Sequence, residues 1–96
     1  MTAAESIHPG EHLAEMMSEL GITQDRLAKT IGVSPIRIHD IVHRRKSITA
    51  DTALRLGQAL DMTPDFWLNL QRMYDLARAT TDTSAIEPLV EVEVSV

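Results

Sequence analysis

The sequence predicts an all-α fold of five helices around one core, and three observations predict it. Apolar residues recur at helical spacing in five segments of the chain. Those segments start at a capping residue or a proline and stop at a glycine or a polar break. With one Phe, one Trp and one Tyr, the core has to be built from Leu, Ile, Val, Ala and Met. Ninety-six residues with 44% hydrophobic content suit a single small domain, too short for a deep enzymatic pocket.

The first helix begins at His8-Pro9-Gly10-Glu11, because proline fits an opening turn and Glu11 complements the positive helix end. Leu13, Met16, Met17 and Leu20 then fall on one face, and Gly21 stops the helix. Thr23 caps a second helix whose apolar positions are Leu27, Ala28 and Ile31. Gly32 ends it in a left-handed conformation, and Val33 follows as a buried turn residue. Ser34 and Pro35 restart the chain as N-cap and first helical residue. This third helix runs to about His43, with Ile38, Ile41 and Val42 inward and Ile36, Arg37, His39, Asp40 and His43 outward.

Thr49 caps the fourth helix, ADTALRLGQAL, whose apolar set is Ala53, Leu54, Leu56, Ala59 and Leu60. Thr63-Pro64 opens the fifth, with Phe66, Trp67, Leu70, Met73, Tyr74 and Ala77 in helical register. Trp67 is expected to anchor that helix in the core, and one of the two adjacent aromatics to face a partner. The domain is expected to span 1–80 and a tail 81–96. In the tail, Val90, Val92, Val94 and Val96 alternate with Glu91, Glu93 and Ser95, the period of a strand. A lone strand is unstable, so it pairs with a copy of itself or another chain, or stays unpaired.

A short helix, a glycine turn and a second helix with a polar outer face form a helix-turn-helix, whose second helix can enter a major groove. A net charge of −5 by itself opposes binding to phosphates, yet its distribution removes the objection. Residues 81–96 hold four acids and no base, while Thr23 to Lys46 hold six bases against two acids. Arg37 is the foremost candidate for a base edge, since arginine grips guanine through two acceptors; a phosphate contact or a solvated charge is the alternative. Ile36 meets a thymine methyl or packs under the neighbouring helix. His39, Asp40 and His43 share the outward face, with Ser34 and Pro35 at its start. Gln24 meets a phosphate or braces the recognition helix. Lys29, Arg44, Arg45 and Lys46 are assigned to phosphates.

Other chemistry finds little support. Without cysteine there is no disulfide and no thiolate metal site. HPGEH at 8–12 matches an H-x-x-E-H zinc string, but His8 precedes a proline and leaves the helical region, so the two rings would not converge. His39 and His43 stand four apart, and groove-facing side chains are expected there rather than a metal site. No catalytic residue, metal or cofactor is assigned. No stretch approaches the roughly 18 apolar residues of a membrane span, and the N-terminus lacks the pattern of a signal peptide, so a cytoplasmic chain is expected.

The run Gln24-Asp25-Arg26-Leu27-Ala28, Ile31-Gly32-Val33-Ser34 and Ile38 resembles helix-turn-helix proteins of the Xre/Cro type. More narrowly, IHPGEHLAEMM, GITQDRLAKTIGVSP, RIHDIVHRRKSITADTALRLGQAL and TPDFWLNLQRMYDL resemble HigA-type antitoxins, also described as VapI-like. The resemblance covers Ile7 to Ala79. It implies a lambda-repressor-like fold and a homodimer that represses its own operon on double-stranded operator DNA. It also implies a partner toxin that cleaves RNA, and it places the recognition helix at Ser34 to His43. Two departures stand out: such proteins commonly have glycine where this chain has Arg44, and the valine-rich tail lies outside the pattern. The rival expectation is a protein-interaction module that uses its acidic tail to hold a partner and binds no specific DNA.

Overall fold

The computed structural model describes residues 7–90. Its helices are α1 (Pro9–Leu20), α2 (Gln24–Ile31), α3 (Pro35–Val42), α4 (Ala50–Leu60) and α5 (Pro64–Arg78), with no strand among the described residues. The expected strand of the tail lies mostly outside them; Leu89 and Val90, which are described, are exposed.

The helix ends follow the local chemistry of the sequence. Thr23 and Thr49 accept the N–H groups of Arg26 and Thr52 through their hydroxyls. Gly21 and Gly32 take left-handed conformations, φ 67° and 75°, to close α1 and α2. Ser34 and Thr63 occupy N-cap positions without a side-chain bond, leaving Pro35 and Pro64 to set the first turns. The cap of α1 is less ordinary. His8 is extended, its Nδ1 accepts from the Gly10 N–H at 2.9 Å, and the Glu11 carboxylate accepts the His8 N–H at 3.2 Å, a reciprocal capping box. His8 is also buried, its ring set edge-on against Tyr74 of α5 with centroids 4.9 Å apart.

Leu13, Met17, Leu27, Ala28, Ile31, Ile38, Ile41, Ile48, Ala53, Leu56 and Trp67 form one core, so every helix contributes to it. Trp67 is fully buried, and Phe66 does not face away: it packs against the core with its ring edge-on to Trp67 at 5.1 Å. Three expected inward residues point outward. Leu20 is 57% exposed because the last turn of α1 lies uncovered, although its register is right. Leu54 is 62% exposed because the buried face of α4 runs through Thr52, Ala53, Leu56 and Gly57, and Ala59 is exposed with it. Val33 is only half-buried at the turn.

Two contacts place α3. At Gly10 the backbone of α1 lies so close to the end of α3 that a Cβ built there would sit 1.8 Å from the Ile41 carbonyl oxygen. Beyond α3, the Ile48 N–H donates to the side-chain oxygen of buried Gln71 at 2.8 Å, tying the connection before α4 to α5.

Gly10→Ala is expected to cost more than about 3 kcal/mol of unfolding free energy, since backbone rather than a flexible side chain occupies the space. Gly21→Ala, with nothing within 4 Å of the new Cβ and only its φ of 67° to strain, should cost about 1 kcal/mol, and urea titrations of both variants check the pair. His8 has its own signature. Burial lowers its pKa from the ordinary 6.5, against the opposing pull of Glu11. The unfolded chain therefore binds the extra proton first as pH falls, and stability present above about pH 6.5 declines below it. Thermal melts between pH 7 and 5 should show this slope, and His8→Asn should flatten it while keeping a cap.

Candidate nucleic-acid interface

The α2–α3 unit is assembled by short-range bonds. After the left-handed Gly32, the Val33 N–H donates back to the Ala28 carbonyl at 3.0 Å, which folds the chain tightly before Pro35 restarts the helix. Ile38 and Ile41 bury one face of α3, and α3 packs on α1 and α2. The opposite face carries Ile36, 61% exposed, with half-buried His39 and Asp40 and exposed His43. The rings of His39 and His43 lie side by side, centroids 4.1 Å apart.

The end of α3 explains the departure at Arg44. The Arg44 N–H donates to the Ile41 carbonyl at 3.0 Å and the Arg45 N–H to the Asp40 carbonyl at 2.7 Å. This paired pattern is the Schellman closure, in which the residue after the cap must be left-handed. Arg44 accordingly has φ 63°, the conformation that a glycine would adopt without strain. The helix ends as a glycine would end it, but with a cation in place. The Lys46 N–H donates to the same Asp40 carbonyl at 3.2 Å, so Arg44, Arg45 and Lys46 form a folded, exposed basic corner beside the outward face of α3.

Arg37 behaves differently from the outward residue expected. Its Nη2 donates to the Asp51 carboxylate at 2.8 Å and to the Thr52 hydroxyl at 2.6 Å, both on α4. Asp51 also accepts from Arg55, whose Nη1 donates to the Ile31 carbonyl at 2.6 Å. The hydrogen bond from Arg37, then that from Arg55, hold the Asp51 carboxyl below the usual aspartate range. Of the pair, only the Asp51–Arg55 spacing of four is readable from the sequence. The structure thus groups Ser34, Pro35, Ile36, His39, Asp40, His43, Arg44, Arg45 and Lys46 along α3 and its exit, and turns the Arg37 guanidinium toward α4. Gln24 is half-buried at the first residue of α2, and Lys29 is exposed in its last turn.

Metal chemistry gains nothing from the geometry. His8 caps α1 and His12 stacks edge-on to Phe66 at 6.4 Å, so the two histidines of the H-x-x-E-H string serve different partners. Among the described residues no three potential ligands cluster.

Comparison with known proteins fits this arrangement. The helix-turn-helix family model matches residues 13–67. Virulence-associated protein I of Dichelobacter nodosus is 43% identical over 86 residues, covering 88% of this chain and 80% of that protein. The solved antitoxin HigA of Pseudomonas aeruginosa with the higBA promoter is 40% identical at a TM-score of 0.80, covering 90% of this chain and 100% of that one. The chain belongs to the HigA-type family of helix-turn-helix antitoxins. A second structure of this group, antitoxin GraA in complex with its operator, is 39% identical at a TM-score of 0.80, covering 91% of this chain and 94% of its own. HigA-type antitoxins are regulators rather than enzymes. No helix among the described residues is long and apolar enough to cross a membrane.

Arg44→Gly should relieve the left-handed strain and raise the unfolding free energy by about 0.5–1 kcal/mol. Chemical denaturation of the two proteins side by side checks it, and a lower stability in the variant would contradict the strain assigned here.

Proposed function

We propose that this chain is a cytoplasmic antitoxin that binds its own operator as a homodimer, represses its operon and neutralises an RNA-cleaving toxin. The observation that carries the DNA half is the exposed face of α3 running into the basic corner Arg44-Arg45-Lys46. It gains support from two relatives that are described on promoter or operator DNA. In this proposal α3 enters the major groove with Ser34 and Pro35 leading and Ile36, His39, Asp40 and His43 along the groove, while Arg37 stays tied to α4. Gln24, Lys29, Arg44, Arg45 and Lys46 hold phosphates on either side. A dimer sets two such helices about 34 Å apart on a pseudo-palindrome. Residues 1–80 form the DNA-binding domain, and 81–96 serve dimer or toxin contact.

The toxin half rests on family membership and on the exposed acidic chain after α5. Truncation after Ala79 tests it. Loss of toxin binding with promoter binding intact assigns the tail to the toxin, and loss of promoter binding assigns it to dimerisation.

Binding of the purified chain to its upstream promoter and to a scrambled duplex, at two salt concentrations, tests the DNA half. A preference of about a hundredfold for the promoter is expected, with affinity falling steeply as salt rises. Lys46→Ala should weaken both duplexes alike and reduce the salt slope by about one. Equal weak binding to both duplexes would overturn the repressor assignment and leave a protein-interaction module.

A further inference from the structure

Resting on the DNA-binding proposal above, we infer that Arg37 is a positioning residue. Tied to Asp51 and Thr52, it fixes the rotation of α3 so that the side chains beside it, Ile36, His39 and Asp40, meet the base edges.

The stereochemistry of the guanidinium carries the inference. Arginine offers two edges for a two-bond grip, one formed by both terminal nitrogens and one by Nε with Nη2, and Nη2 belongs to both. Both protons of Nη2 are engaged here, one by the Asp51 carboxylate at 2.8 Å and the other by the Thr52 hydroxyl at 2.6 Å. Arg37 therefore cannot grip guanine through two bonds without releasing α4. The tie also extends further than α3. Asp51 is held by Arg55 Nε at 3.1 Å to each carboxylate oxygen, and Arg55 donates to the carbonyl of Ile31, the last residue of α2. One carboxylate thus references both helices of the helix-turn-helix to α4.

Position matters because α3 has only eight residues and is packed through Ile38 and Ile41 on one side. Its far side meets α4 through the Arg37 tie. A helix of this radius that rotates by roughly 15° moves its side-chain tips by about 1.5 Å, enough to misalign every base contact together. Pairing has a second consequence. The Asp51 carboxylate, shared between Arg37 and Arg55, offsets part of their charge, so this arginine pulls on phosphates less than Lys46 or Arg45.

The test uses the full-length chain, its promoter, and a set of promoters each altered at one base pair. Wild type, Arg37→Ala, Asp51→Ala and the double variant are compared, with Thr52→Val as a variant that keeps both charges. Arg37→Ala and Asp51→Ala should each lower promoter affinity about tenfold and flatten preference across the whole half-site, while random-duplex affinity holds or rises in Asp51→Ala, which frees the charge of Arg37. The double variant should be no worse than either single one, because both remove the same tie. Thr52→Val should flatten the same profile to a smaller degree. Melting curves confirm that each variant is folded, as expected for a pair 36% and 55% exposed. If Arg37→Ala erased preference at one base pair while Asp51→Ala kept the wild-type profile, Arg37 would be a direct reader and the inference overturned. A wild-type chain without promoter preference would sink the inference and the repressor proposal together.

Discussion

The placement of α3 depends on a contact in which one partner has no side chain. Gly10, at the start of α1, lets two backbones meet where a single methyl group would overlap the Ile41 carbonyl. Its own N–H is consumed by the His8 ring, and that ring is wedged against Tyr74 of α5. The cap of the first helix, the end of the third and the face of the fifth are thereby fixed by one short segment. The chain is small, and most of its helices are of about three turns or fewer, so such close approaches matter more than helix propensity.

The opposite side of α3 is held by other means. Apolar packing through Ile38 and Ile41 supplies most of the burial energy, about 1.5–3 kcal/mol for each fully buried residue. It does not by itself fix rotation about the helix axis. Directional bonds do that, and they run through Asp51 to Arg37, Arg55 and the end of α2. Exposed ion pairs are individually worth little in stability. Their value here lies in geometry: they set an angle rather than supply a large free energy.

Much of this architecture was legible in the sequence because it is written in local chemistry. Thr23, Gly32, Ser34-Pro35, Thr49 and Thr63-Pro64 marked helix ends within a few residues of their effect. Periodicity found the inward faces of α2 and α3 and the burial of Trp67. Periodicity failed at Leu20, Leu54 and Ala59, since it identifies a face without saying what covers it. The least legible features join distant positions, such as Gln71 with Ile48 and Arg55 with Ile31, 23 and 24 residues apart. The same limit applies to the candidate interface. Charge counting located the basic segment and its residues, but the engagement of Arg37 by α4 depends on a contact across 14 residues that no local pattern signals. At Arg44 a departure from the family pattern left the backbone shape intact, because the closure needs a left-handed residue, not glycine as such.

The chain beyond α5 has a consequence for turnover. Ala79 leaves the helix in an extended conformation, and every described residue from there to Val90 is exposed. A protease meets accessible coil and turn at any of these positions without unfolding anything first. A cut there leaves His8, Gly10, Ile41 and Trp67 undisturbed, since all core contacts among the described residues lie before it. Clipping can thus separate the lifetime of the tail from that of the helical body, and a shortened protein keeps the geometry of α3 after losing whatever the tail holds.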